Sequence, residues 1–91
     1  MIRNDGVSKP VRQVVEQTKE VISNYLNSDW RHINLRHSLK GDFHLDSLDV
    51  VELFTSLEQR FKIYFPEDLS RIRLVKDIVI ECQNKLNHKK F

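Results

Sequence analysis

Apolar residues recur at intervals of three and four in three separate stretches of this chain, and no stretch sustains the alternation that a half-buried strand requires. That periodicity predicts an all-α domain. From about Pro10 to Leu26, the residues Val11, Val14, Val15, Thr18, Val21, Ile22, Tyr25 and Leu26 fall on one continuous helical face. Pro10 suits the first turn, where a missing N–H costs no hydrogen bond. The valines lower intrinsic propensity, so this helix depends on burying its stripe. From about Ser47 to Lys62, Val50, Leu53, Phe54, Leu57 and Phe61 form a second stripe, flanked by Leu48 and Val51. Asp49, Glu52, Ser56 and Gln59 take the opposite side. Asp46 is the natural N-cap, and Pro66 sets a boundary because the residue before a proline avoids the helical region. The third stretch, about Leu74 to Leu86, spaces Val75, Ile78, Val79, Cys82 and Leu86 in the same way. Between Pro66 and Arg73 there is room for one short turn of helix, Glu67–Ile72, with Leu69 and Ile72 directed inward.

Residues 27–45 separate the first two helices and contain Trp30, Ile33, Leu35, Leu39, Phe43 and Leu45. Burying such side chains contributes roughly 1.5–3 kcal/mol each. A long connection of this kind is expected to be a packed loop, with Trp30 as one of its anchors, rather than a free linker. Ninety-one residues hold one core, so the expectation is a single domain over 1–91, with its core at about 8–86 and short flexible ends from Asn87 to Phe91 and before residue 8.

The net charge of +2 conceals a strong pattern. Residues 46–70 hold six acids (Asp46, Asp49, Glu52, Glu58, Glu67, Asp68) against two bases, a net of −4. Residues 31–45 carry +2, and residues 71–91 carry +4. An acidic centre between basic segments argues against nucleic-acid binding through the whole surface. No apolar run approaches bilayer length, and Met1-Ile2-Arg3-Asn4-Asp5 lacks the apolar stretch of a signal peptide, so a cytoplasmic protein without a membrane partner is expected. The lone Cys82 rules out an internal disulfide and a thiolate zinc cage.

The most informative run is Phe43-His44-Leu45-Asp46-Ser47-Leu48-Asp49-Val50-Val51-Glu52-Leu53. Taken alone, Asp-Ser-Leu at a helix start signals no more than capping. The longer context resembles the modification site of acyl carrier proteins, roughly Leu-Gly-x-Asp-Ser-Leu-Asp-x-Val-Glu-Leu. The match covers Asp46, Ser47, Leu48, Asp49, Val51, Glu52 and Leu53 in unbroken register. It continues through Leu57, Glu58, Phe61 and Pro66, with Phe65 where isoleucine is usual, and upstream through Ile33, Ser38 and Leu39. About residues 8–86 share the likeness.

The resemblance implies a four-helix bundle, three main helices and one short, with a long first loop. It also implies a phosphopantetheine arm esterified to the Ser47 hydroxyl, with Asp46 and Leu48 beside it. An anion there would meet the unpaired N–H groups and positive dipole end of a helix. The partners implied are a phosphopantetheinyl transferase and acyl-transferring or condensing enzymes of fatty-acid, polyketide or lipid-modifying routes, with Asp49, Val51, Glu52 and Glu58 as the docking face of a monomeric carrier. No catalytic residue is implied. Three departures stand out. Gln59, Arg60 and Lys62 replace acids of the usual docking helix, pointing to a specialised carrier. His44 replaces Gly or Asn at a turn that needs positive φ. Arg73-Leu74 replaces a Ser/Thr-type cap, leaving Ser70 as the nearby hydroxyl.

Other features read more plainly. His32, His37, His44 and His88 complete no metal-ligand spacing and read as surface histidines. Cys82 lies on an apolar stripe, as core filler does. Lys85, Lys89 and Lys90 make a solvated basic end that complements a helix C-terminus. A peptidyl carrier, an unmodified helical adaptor of the same fold and a small nucleic-acid-binding domain using the basic end remain as alternatives.

Overall fold

The computed structural model describes residues 11–66 and 68–87. Three α-helices, α1 (Val11–Leu26), α2 (Ser47–Phe61) and α3 (Val75–Asn87), are joined by a 3-10 turn at Trp30–His32 and irregular segments. α1 packs against both of the others. All three stripes face one core. Val14, Ile22, Leu53, Leu57, Val75, Ile78 and Cys82 lose essentially all contact with solvent. Pro10, Glu67 and residues 88–91 lie outside the described residues, so the expectations placed on them have no structural counterpart here. Asn87, expected to fray, is the last residue of α3.

The helix ends follow from local chemistry. α1 closes with Asn27 in the left-handed region, at φ 56°, while the Ser28 N–H reaches back to the Ser23 carbonyl at 2.9 Å. This is a Schellman closure in which asparagine does the work usually given to glycine. α2 ends in the same manner. Lys62 adopts φ 57°, and the N–H groups of Lys62 and Ile63 both reach the Glu58 carbonyl. Glu58 secures the exit a second time, since its carboxylate accepts the Phe65 N–H at 2.9 Å. Phe65 then packs edge-on against Phe54, with ring centroids 4.7 Å apart.

The long loop is the least regular part of the chain and one of the most firmly tied. Ile33, Leu39 and Leu45 are buried, and Leu35 and Phe43 pack at the edge of the core. Trp30 departs from expectation. It lies on the surface turn just beyond α1, 48% exposed and outside the core cluster that holds the rest of the loop. Main-chain bonds do much of the tying. The Leu39 N–H reaches the Arg73 carbonyl at 2.9 Å, and the Leu45 N–H reaches the Leu39 carbonyl at 3.1 Å. The Val75 and Lys76 N–H groups donate to the His37 and Leu35 carbonyls. The loop thus satisfies donors that the start of α3 would otherwise leave unpaired. The rest of that cap comes from Asp77, whose Oδ2 accepts from Arg73 N–H and Leu74 N–H at 3.1 and 3.0 Å. Ser70 takes no part. Its own N–H is held by Asp68.

The segment expected to form a short fourth helix makes a single turn instead. Among its described residues the closing bond runs from the Ile72 N–H to the Leu69 carbonyl at 3.0 Å. Both side chains face the core, as their spacing suggested.

Candidate functional site

Ser47 is the first residue of α2 and is exposed. Asp46 caps the helix by accepting the Asp49 N–H at 2.8 Å, and the Asp49 carboxylate reaches back to the Asp46 N–H at 3.1 Å. This reciprocal pair is a capping box built from two aspartates, so the two acids flanking Ser47 hold the backbone that presents it. The bond from the Asp49 N–H is the largest influence keeping the Asp46 carboxyl below the ordinary carboxylate range, and the Lys40 ammonium adds a smaller pull in the same direction. Among the described residues nothing hydrogen-bonds the Ser47 hydroxyl. His44 leads into this turn at φ 57°, the left-handed conformation for which glycine or asparagine is better suited.

A cleft of about 540 Å³ opens beside Ser47. Leu39, Val50, Leu69 and Ile72 supply its apolar wall, while Lys40 and Arg73 stand among its lining residues. Its existence follows from the seam between the loop and the entrance to α3. That seam brings the 39–40 and 72–73 dipeptides to the front end of α2.

The other flank of Ser47 is acidic and differently made. Leu48 is 65% exposed there, while Val51, 52% exposed, is itself among the residues lining the cleft. On this flank the Tyr25 hydroxyl lies 2.8 Å from Glu52 Oε1 and 3.2 Å from Asp49 Oδ1. One phenolic proton is shared between two carboxylates, which draws both toward α1. Its hydrogen bond to Glu52, followed by loss of water and the charge of Asp49, raises the Tyr25 pKa far above its ordinary value.

The sequence-derived docking residues are thus divided. Asp49 and Glu52 share the Tyr25 hydroxyl near Ser47, whereas Val51 lines the cleft. Glu58 lies two turns further along and is committed to the Phe65 N–H. Arg60, a departure from an acidic docking helix, pairs with Glu20 of α1 at 2.7 Å. Sequence reasoning missed the polar role of Tyr25, which counted only as a member of an apolar stripe. It also missed that Lys40 and Arg73 reach the same cleft. No local signal links residues so far apart in the chain.

The remaining candidates are structural. His37 Nδ1 accepts the Asn34 N–H at 3.0 Å, and its ring packs edge-on against Phe43, so it fastens the loop. Among the described residues no group of three His, Cys, Asp or Glu side chains is placed to hold a metal ion. Cys82 is fully buried and its thiol is pushed up to about 12, chiefly by burial, which makes it unreactive near neutral pH. No helix among the described residues is long and apolar enough to cross a membrane.

No protein-family model matches the chain. Individual proteins do. The acyl carrier protein of Clostridium acetobutylicum is 37% identical over 67 residues, covering 72% of this chain and 87% of that protein. That of Brachyspira hyodysenteriae is 41% identical over 66 residues, covering 70% and 85%. That of Coprothermobacter proteolyticus is 32% identical over 75 residues, covering 81% and 92%. Among solved structures, the apo doublet acyl carrier protein from prodigiosin biosynthesis superposes with a TM-score of 0.69 at 20% identity, over 90% of this chain and 40% of that chain, which shows the shared fold. Acyl carrier proteins are carriers rather than enzymes, and their prosthetic group is a covalently attached phosphopantetheine. An exposed serine hydroxyl at a capped helix start, with a largely apolar cleft alongside, suits such a group. Three helices around one core, the aspartate-capped serine and the extent of these matches agree on one assignment: this chain belongs to the acyl carrier protein family.

Proposed function

We propose that this chain is a single acyl-carrier domain in the cytoplasm, which receives phosphopantetheine on Ser47 and bears acyl groups for a specialised set of fatty-acid, polyketide or lipid-modifying enzymes. The observation carrying this reading is the exposed Ser47 at the first position of α2, within the lining of a largely apolar cleft. Attachment needs only a presented hydroxyl. The transferase supplies the base, the Ser47 oxygen takes up the phosphopantetheinyl group from coenzyme A, and 3′,5′-ADP leaves. Asp46 and Asp49 hold the turn in the shape the transferase must read. When attached, the group supplies a terminal thiol with a pKa near that of cysteine, about 8.5, able to form acyl thioesters. Leu48, Val51, Asp49 and Glu52 present partners with an apolar pair beside two carboxylates. Repeated visits to several enzymes favour weak docking governed by charge.

The test is direct. Intact-mass analysis after incubation with coenzyme A and a broad-specificity phosphopantetheinyl transferase should show one added arm on the wild type and none on Ser47→Ala. A wild type left bare by several transferases would instead make this chain an unmodified adaptor.

A further inference from the structure

We infer that Lys40 and Arg73 form an anion seat on the cleft beside Ser47, and that this seat takes the phosphodiester of the arm, laying the arm over the cleft rather than out into solvent. The inference rests on the carrier reading above and specifies where its cofactor lies.

Three observations support it. First, the two basic segments that bracket the acidic helix in sequence are brought together in the fold. Arg73 accepts from the Leu39 N–H through its carbonyl, and Leu39 accepts from the Leu45 N–H, so one chain of main-chain bonds runs from Arg73 past Lys40 to the turn before Ser47. Second, Lys40, Arg73 and Ser47 line the same cleft. The Lys40 charge is felt at Asp46, the residue next to Ser47. Third, both cations are exposed, and among the described residues neither is engaged in an ion pair. The nearby carboxylates each serve a main-chain N–H. Asp42 accepts the Ser38 N–H, Asp46 the Asp49 N–H, Asp68 the Ser70 N–H, and Asp77 the N–H groups of Arg73 and Leu74. None of these carboxylates is among the cleft's lining residues, so a phosphodiester on the Ser47 oxygen would be the anion that meets its two cations. Arg offers a planar fork to phosphate oxygens and Lys a mobile point charge, so the pair suits a group able to turn about its ester bonds.

The seat should affect the arm measurably. In holo protein whose arm ends in a free thiol, the phosphodiester is the arm's only anion. Amide shifts between apo and holo forms should then appear at residues 39–41 and 70–73 as well as around Ser47. In Lys40→Gln/Arg73→Gln the distant shifts should vanish while those at Ser47 remain. The same distant shifts should fade in the wild type as salt is raised, since exposed charges are screened beyond about 8 Å at physiological ionic strength. With an acetyl group on the arm, hydroxylamine should cleave the thioester roughly two- to fivefold faster in the double variant, the range set by exposed ion pairs. Both positions are exposed, and the salt titration needs no substitution at all. Distant shifts that are absent, or indifferent to both salt and substitution, would overturn the seat. Shifts appearing only when the cargo carries a carboxylate, as with a succinyl group, would also overturn it, because the seat would then belong to the cargo. Failure of Ser47 to accept the arm would be recorded separately by mass, and would sink the carrier reading itself.

Discussion

The two flanks of Ser47 are built from different materials. On one side, the loop and the entrance to α3 are joined mostly by main-chain bonds over buried Leu39 and Leu45, leaving an apolar cleft bordered by cations. On the other, α1 and α2 meet through side chains, with Tyr25 holding Asp49 and Glu52 beside exposed Leu48. The first flank has depth and positive charge, and the second is negative. A carrier must shelter what it carries and still be gripped by enzymes. In the carrier reading proposed above, those demands fall on different faces around a single hydroxyl. Backbone ties make the cleft insensitive to the identity of surface side chains, whereas the acidic flank depends on particular groups and responds to pH.

The largest effect should come from undoing the cleft side alone. Leu39 is 1% exposed and sits where the main-chain ties to Arg73 and Leu45 meet. Leu39→Ala should cost about 2–4 kcal/mol by leaving a cavity under the loop. Denaturant unfolding would measure it. Amide exchange should show Val75 and Lys76 losing protection together, since their acceptors are loop carbonyls. Unchanged protection there would mean that the first turn of α3 holds without the loop.

A smaller effect separates the turn from both flanks. Asp46→Ala removes the acceptor of the Asp49 N–H, and the loss of such a cap should lower Tm by roughly 4–8 °C. The folded-state pKa of Asp46 is depressed, so its contribution is present above the unfolded value near 4 and is lost as pH falls through the folded value. The wild type should therefore lose more stability than the variant on acidification below pH ~4. Parallel acid profiles would contradict this.

The acidic flank has its own signature at the opposite end of the pH scale. The Tyr25 phenol ionises less readily in the folded protein, because its proton is shared with Glu52 and Asp49. A raised folded pKa contributes stability below the unfolded value of about 10 and loses it as pH rises beyond that. Tyr25→Phe should flatten the alkaline limb of the stability curve. If docking uses Asp49 and Glu52 in the positions Tyr25 gives them, the variant should also weaken partner binding more than a purely structural change would. Tyr25→Phe variants with normal docking and a flattened alkaline limb would assign the tyrosine to stability only.

How much of this could be read in the chain follows the range of the interactions. The three helices were legible because their stripes repeat within a few residues. The place of Ser47 at the start of α2 was legible because Asp46 before it is a good cap. Asp46 as N-cap follows from the same short range. The turn at Leu69–Ile72 was placed correctly but overstated as a helix, since two inward residues three apart need only one hydrogen-bonded turn. Trp30 misled because bulk alone suggests burial, while its place on a surface turn after α1 decided otherwise. The cap of α3 was sought in a hydroxyl before the helix and came from Asp77 inside it and from loop carbonyls. Tyr25 with Glu52, Arg60 with Glu20, and Lys40 with Arg73 belong to pairs far apart in sequence. Nothing local encodes such pairs.

The smallest effect tests the joint between the flanks. His44 stands at φ 57° in the turn that leads to Ser47, and it is exposed, so no packing offsets its conformation. A side chain in the left-handed region costs roughly 1–2 kcal/mol relative to glycine, against which glycine loses roughly 0.5–1 kcal/mol more through the entropy of its unfolded chain. His44→Gly should therefore stabilise the protein by no more than about 1.5 kcal/mol, while His44→Val, β-branched and poorly suited to positive φ, should destabilise it. Thermal unfolding of the pair would show the two shifts with opposite signs. Equal shifts would mean that the histidine ring makes interactions its exposed position does not reveal. If His44→Gly also slows modification of Ser47, the strained turn contributes to presenting the hydroxyl, and its cost in stability is tied to function. If modification is unaffected, the presentation of Ser47 rests on the Asp46–Asp49 box alone.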